Sequence, residues 1–124
     1  MEIRICWGLE NGDSIYAGYT LENEDGRIEN LINNQDQFKD IISDITESLS
    51  ESFYENYYEF EDLIKETITQ EKALREITGE PYIYIEIDGK KMDTPHYIDL
   101  SEEKEVLYDC LEGCYLSERS DFGI

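Results

Sequence analysis

Positive charge is what this chain lacks most. Ten lysines and arginines stand against thirty-one aspartates and glutamates, for a net charge of −21. That balance excludes nucleic acid and anionic membranes as direct partners, since both are polyanions, and it favours basic surfaces. Histidine is almost missing too. His96 is the single one, in a Thr94-Pro95-His96 turn, so a histidine-based triad has little to build on. No Gly-x-Ser-x-Gly elbow, phosphate-binding glycine loop or His-Glu-x-x-His pair occurs. Carboxylates are so numerous that a pair at glycosidase spacing would carry no information. The expectation is a protein that is not an enzyme and needs no cofactor.

Long apolar runs are absent as well. No stretch approaches the ~18 residues of a membrane span, and Met1-Glu2-Ile3-Arg4 has neither the basic region nor the apolar run of a secretory signal. A cytoplasmic location is expected. Three cysteines, an odd number, read as reduced thiols and not as a disulfide framework.

What is present suffices for a core. Across 124 residues, 40% are hydrophobic and 12% aromatic, which separates this chain from a disordered acidic tail and predicts one acidic domain over residues 1–124. Ile3, Ile5 and Trp7 alternate with Arg4, Cys6 and Gly8, the period of a half-buried strand. Asn11-Gly12 then signals a tight turn in which both central residues tolerate positive φ, and Ile15, Ala17, Tyr19 and Leu21 alternate again. Residues 2–21 thus predict a β-hairpin. Asn23 to Asn34 reads as a loop in which Ile28, Leu31 and Ile32 suit a short helical turn.

Asn34 is placed as an N-cap, with Gln37 in the capping-box position. From there Phe38, Ile41, Ile42, Ile45, Leu49, Phe53, Phe60, Leu63 and Ile64 keep to one side of a helix over residues 35–68, with Ser48, Ser50 and Ser52 marking the expected bend. A second helical stretch, Gln70 to Thr78, stops at Gly79, which suits a C-cap. Tyr82 to Asp88 is the clearest strand. Asp88-Gly89 turns it back through Lys90 to Asp93, Pro95 interrupts, and Tyr97 to Leu100 suits an extended segment. Ser101 is placed as the cap of a last helix presenting Val106, Leu107, Cys110, Leu111 and Cys114 inward, with a frayed tail from Ser117. The order β-β-α-α-β-β-α predicts an α+β fold, an antiparallel sheet built from two hairpins with helices on one face.

Two sets of residues have part of what a metal site requires. Cys6, His96, Cys110 and Cys114 have the right number and type of donors for zinc. A strand cysteine and a turn histidine would however have to meet the helical pair, and buried apolar thiols are the simpler account. Asn23-Glu24-Asp25-Gly26 echoes part of a calcium loop. With Gly26 in the glycine position, Leu21 and Ile32 fall where carboxylate ligands belong.

The acids themselves are ordered. Asp40, Asp44, Glu47, Glu51 and Glu55 recur at steps of four, three, four and four, which puts carboxylates roughly 5.5 Å apart along one helix face, comparable in scale to the phosphates of one strand. They lie nearly opposite the apolar residues. Tyr54, Tyr57 and Tyr58 stand among Glu55, Glu59, Glu61 and Asp62. Tyrosine joins a large rigid contact area to a polar tip and stacks on arginine. Tyr57 falls at the edge of the apolar face, Tyr54 and Tyr58 beside the acidic one. A second acidic set, Glu102, Glu103, Glu105, Asp109 and Glu112, sits on the last helix.

A carboxylate stripe interleaved with tyrosines, on a small domain without catalytic motifs, resembles the acidic nucleic-acid-mimic inhibitors of phages and mobile elements, among them anti-CRISPR and anti-restriction proteins. The resemblance is one of charge pattern, from Asp36 to Asp62. It implies a non-catalytic inhibitor whose carboxylates occupy the lysines and arginines that hold phosphate, on a Cas nuclease or a restriction enzyme. Its partner-binding residues would be Asp40, Asp44, Glu47, Glu51, Tyr54, Glu55, Tyr58, Glu59 and Asp62. An immunity protein or antitoxin for a nuclease toxin would use the same physics. A metal-supported structural or regulatory module built on the cysteines is the alternative of another class.

Overall fold

A computed structural model describes residues 2–21, 28–70 and 72–121. Strands β1 (Glu2–Leu9) and β2 (Ser14–Thr20) pair antiparallel without a bulge, from Glu2 opposite Thr20 to Gly8 opposite Ser14. Strands β3 (Pro81–Ile87) and β4 (Lys90–Met92) form a second hairpin. The hairpins join through β1 and β3, antiparallel from Ile3 opposite Ile87 to Leu9 opposite Pro81, so the sheet order is β2-β1-β3-β4. Helices α1 (Ile28–Asn33), α2 (Gln35–Asn56), α3 (Glu61–Gln70) and α4 (Leu74–Thr78) lie between the hairpins in sequence, and α5 (Ser101–Asp121) follows them. The fold is α+β, in roughly the element order that the hydrophobic periods predict, with four α-helices between the hairpins where two are expected.

The two-residue period decides which face of the sheet is covered. Ile3, Ile5, Trp7, Leu9, Ile15, Ile85 and Ile87 are buried in one cluster with Phe38, Ile42, Ile45, Leu49, Phe53, Phe60 and Ile64 of the helical layer and Leu107 and Leu111 of α5. Trp7 is the centre of this layer, meeting Phe53 and Phe60 edge-on with both ring centroids at 5.5 Å. Each of these side chains contributes about 1.5–3 kcal/mol by leaving water. The intervening residues Arg4, Tyr16, Tyr82, Tyr84, Glu86 and Lys91 turn to the opposite face.

The turns differ from each other. Asp88 and Gly89 take φ of 51° and 81°, as a two-residue hairpin of matching twist requires. Asn11 and Gly12 take no positive φ, and the first turn is wider: Gly12 donates to the Leu9 carbonyl at 3.1 Å. Its asparagine serves another element. Asn11 N and Nδ2 donate to the carbonyls of Thr78 and Ile77 at 3.1 and 2.9 Å, covering acceptors that the end of α4 leaves open. Gly12 allows a close approach, since a Cβ there would fall 2.5 Å from Leu63 Cδ1 and that side chain would have to move.

Asn34 caps α2 as its sequence predicts. Its Oδ1 accepts from Gln37 N at 3.3 Å, and its Nδ2 donates to Gln37 Oε1. The break in the long amphipathic stretch falls elsewhere than at the serines. Ser52 Oγ bonds back to the Ser48 carbonyl at 3.1 Å inside unbroken helix, and the axis tightens into a 3-10 turn at Tyr57–Phe60. There Asn56 Nδ2 occupies the Ser52 carbonyl at 2.9 Å, competing with the helix's own ladder, and an aromatic run follows. Gln70 ends α3, the next helix among the described residues is Leu74–Thr78, and Gly79, at φ 73°, closes it as expected.

Four expectations for the C-terminal third are corrected. Tyr97 lies in a turn closed by Ile98 N to the Pro95 carbonyl at 2.9 Å, and Ile98 to Leu100 belong to no strand. The side chain that caps α5 is Asp99, whose Oδ1 accepts from Ser101 N at 2.9 Å, because Ser101 is already helical. And α5 continues to Asp121 where a frayed tail was expected. Its buried residues are Leu107, Tyr108, Leu111, Cys114 and Tyr115, while Val106 is exposed. The helix is rotated so that two tyrosines, not Val106, enter the core. The calcium-like stretch Asn23 to Gly26 lies outside the described residues.

Candidate functional site

All five acids of the stripe are carried by the straight part of α2. Phe38, Ile41, Ile42, Ile45, Leu49 and Phe53 are buried on one side of that helix, which turns Asp40, Asp44, Glu47, Glu51 and Glu55 to solvent, and all five are exposed. None of the five makes a hydrogen bond or an ion pair with the described residues. The basic residue of α2, Lys39, stands 5.8 Å from the Tyr97 ring centre. The row is therefore uncompensated, and each carboxylate keeps its full capacity to accept hydrogen bonds from a partner's cations.

The remaining residues of the expected surface divide at the 3-10 turn. Tyr54 and Tyr58 are 57% and 60% exposed, large values for tyrosines and enough to leave both rings free for contact. Tyr57 is half-buried against the core, as its place on the apolar edge predicts. Tyr54 reaches sideways, for a Cβ at Gly113 of α5 would sit 3.0 Å from its Oη. Tyr58 and the half-buried Glu59 belong to the 3-10 turn, and the exposed Asp62 to α3. The row along α2 thus continues past a change of axis, so its last members are not on the same straight line as the first five.

The acidic set on α5 differs in its surroundings. Arg75 donates to Glu80 at 2.7 Å and to Glu105 at 2.9 Å, and its guanidinium lies 4.1 Å from the Tyr108 ring centre. Glu103 is half-buried, while Glu102, Asp109 and Glu112 are exposed. Sequence spacing gave both helices comparable rows, and it missed Arg75, thirty residues away from Glu105 in the chain. Its signal was present only as a lone cation ahead of Gly79.

The four zinc candidates are not brought together. Cys6 lies on the face of the sheet away from the helices, Cys114 is buried on α5, Cys110 is half-buried there, and His96 is exposed with its ring edge-on to Tyr97. Burial pushes the Cys6 and Cys110 thiols above the usual cysteine value, away from the thiolate that a metal would need. Among the described residues no three histidine, cysteine or acidic side chains form a metal-holding group. No described helix is long and apolar enough to cross a membrane.

Compared with protein-family models, with curated proteins and with solved structures, the chain gives no match.

Proposed function

We propose that this protein is a non-catalytic inhibitor that imitates nucleic acid and occupies the basic nucleic-acid-binding surface of a bacterial defence nuclease in the cytoplasm. A Cas nuclease is the favoured target, which would make the protein an anti-CRISPR, and a restriction enzyme offers the same chemistry. One observation carries the proposal: five exposed carboxylates at helical spacing on α2, none of them paired with a base among the described residues. A carboxylate row kept only for solubility would need far less charge than −21. In the complex, lysines and arginines that normally grip phosphate would take charge-assisted hydrogen bonds from Asp40, Asp44, Glu47, Glu51 and Glu55, with Tyr54, Tyr58, Glu59 and Asp62 extending the contact.

The test is capture of partners by the immobilised protein from lysates of bacteria carrying restriction, CRISPR and repair enzymes, eluted in a salt gradient. The expected result is one basic nuclease retained above physiological salt and displaced by its own nucleic-acid substrate. Replacing the five acids by their amides should then abolish retention, because removing one partner of a desolvated interfacial charge pair costs about 2–5 kcal/mol. Retention unchanged by all five replacements would refute α2 as the recognition surface, and a diffuse spread of basic proteins released at low salt would refute the mimic.

A further inference from the structure

The edge strand β2 carries an unexpected composition. Ser14 to Leu21 is the longest stretch of the chain without a charged residue, in a protein where 33% of residues are charged. Edge strands are ordinarily protected by lysine, proline or a bulge, because their open row of N–H and C=O groups templates another strand. Here none of these devices is present. β2 has no charge or proline, pairs with β1 in unbroken register, and is the outermost strand on its side. The described residues make no hydrogen bond to β2 apart from those of the β1 ladder.

We propose that β2 is the site of homodimerisation, pairing antiparallel with β2 of a second copy about a two-fold axis through Ala17. The sequence Ser-Ile-Tyr-Ala-Gly-Tyr-Thr is self-complementary about that residue. Antiparallel pairing centred on Ala17 sets Tyr16 beside Gly18 of the second copy, Ile15 beside Tyr19 and Ser14 beside Thr20. A large side chain then meets an empty position, two apolar residues meet, and two hydroxyl residues meet, each a favourable cross-strand combination. Tyr16 and Tyr19 are 59% and 41% exposed in the single chain, so both have surface to lose. Tyr16 is already steadied, its ring centre 4.7 Å from the Arg4 guanidinium. A two-fold interface of this kind is isologous and closes at two copies.

The match of side chains about Ala17 selects the second copy as occupant, and a basic partner is instead drawn to α2. A strand without ionised groups is where two chains of −21 can meet with least cost. The dimer therefore strengthens with added salt, which screens the repulsion between copies. Binding of a basic target on α2 would weaken with salt, so the two associations are separable by the sign of their salt dependence, and failure of one leaves the other standing.

The test is sedimentation equilibrium of the full chain over a range of concentrations, at low and high salt. The expected result is a monomer–dimer equilibrium shifted to dimer by salt, and a dissociation constant raised at least about tenfold by Gly18→Lys. That substitution has room, since a Cβ at Gly18 would meet Arg4 Cγ at 3.4 Å and backbone no nearer than 3.6 Å. It also makes the chain less negative, so weaker association could not be laid to bulk charge. Tyr16→Ser, which removes the side chain that fills the partner's glycine position, should weaken the dimer as well. A wild-type chain that stays monomeric in high salt at every concentration overturns the proposal, as does a dimer indifferent to both substitutions.

Discussion

The outer face of α2 and the outer face of the sheet are both solvent surfaces of one acidic protein, yet they are built by different rules. Along α2 the outward positions include Asp40, Asp44, Glu47, Glu51 and Glu55, and the helix's one base, Lys39, stands 5.8 Å from the Tyr97 ring centre. On the sheet the outward positions hold two acids, Glu2 and Glu86, and two bases, Arg4 and Lys91, among Tyr16, Tyr82 and Tyr84. The sheet's charges are used locally. Arg4 pairs with Glu2, and Lys91 stands 4.9 Å from the Tyr84 ring centre. A protein made acidic merely to stay in solution would acidify both faces. The contrast shows that the net charge is allocated, with one face kept uncompensated and the other kept neutral.

The sharpest way to test this contrast is on α2 itself, by separating its two sides. Phe53→Ala, on the inner side against Trp7, should lower stability by about 3–5 kcal/mol, read as a shift in the urea midpoint. The five outer amide replacements should leave the midpoint unchanged or raise it by easing repulsion. A large loss from the amides would mean that the row stabilises the fold and is not reserved for a partner. A smaller effect is expected where α5 begins. Asp99→Ala should lower the urea midpoint by less than Phe53→Ala does, since it removes the carboxylate that accepts from Ser101 N. Hydrogen bonds from Ser101 hold the Asp99 carboxyl below its ordinary value. Its contribution is therefore full above the ordinary aspartate pKa and is lost as pH falls through the depressed one. The variant's deficit should shrink in acid, as followed by thermal melts.

The smallest effect belongs to the sheet face and lies at the alkaline end. Burial, with a hydrogen bond to Cys6, pushes the Tyr84 hydroxyl up from 10.0 to about 12. Unfolded chains ionise this tyrosine first, so the stability present below pH 10.0 is lost as pH rises toward about 12. Tyr84→Phe should flatten the slope of urea midpoint against pH in that window. An unaltered slope would place the alkaline sensitivity at Tyr97 and Tyr108, whose hydroxyls burial also raises.

Much of this was legible in the residues because it is local. The strand periods of Ile3 to Trp7 and Ile83 to Ile87, the Asp88-Gly89 turn, the Asn34 cap and the Gly79 stop all depend on neighbours within a few positions. The misplaced features depend on distant ones. Asn11-Gly12 has the composition of a tight turn, but the end of α4, more than sixty residues on, claims the asparagine. The serines of α2 looked like a bend, but hydrogen bonds back along the helix accommodate them, and the axis changes where Asn56 and the aromatic run compete with the ladder. On α5 the helical period was right and its phase was not.

By itself, then, the sequence determined the element order, the two hairpins, the acidic spacing on α2 and the absence of charge from β2, since each follows from dihedral preference or from a short period. Only the tertiary structure decided which acids have counter-ions. Arg75 meets Glu105 across thirty residues, whereas no base among the described residues pairs with Asp40, Asp44, Glu47, Glu51 or Glu55. It also decided that β2 is an outer strand, because β1 gives its second edge to β3 and β2 is left with one neighbour. Compensation and edge position are relations between segments distant in sequence, and packing of the core around Trp7 is what brings those segments to their places.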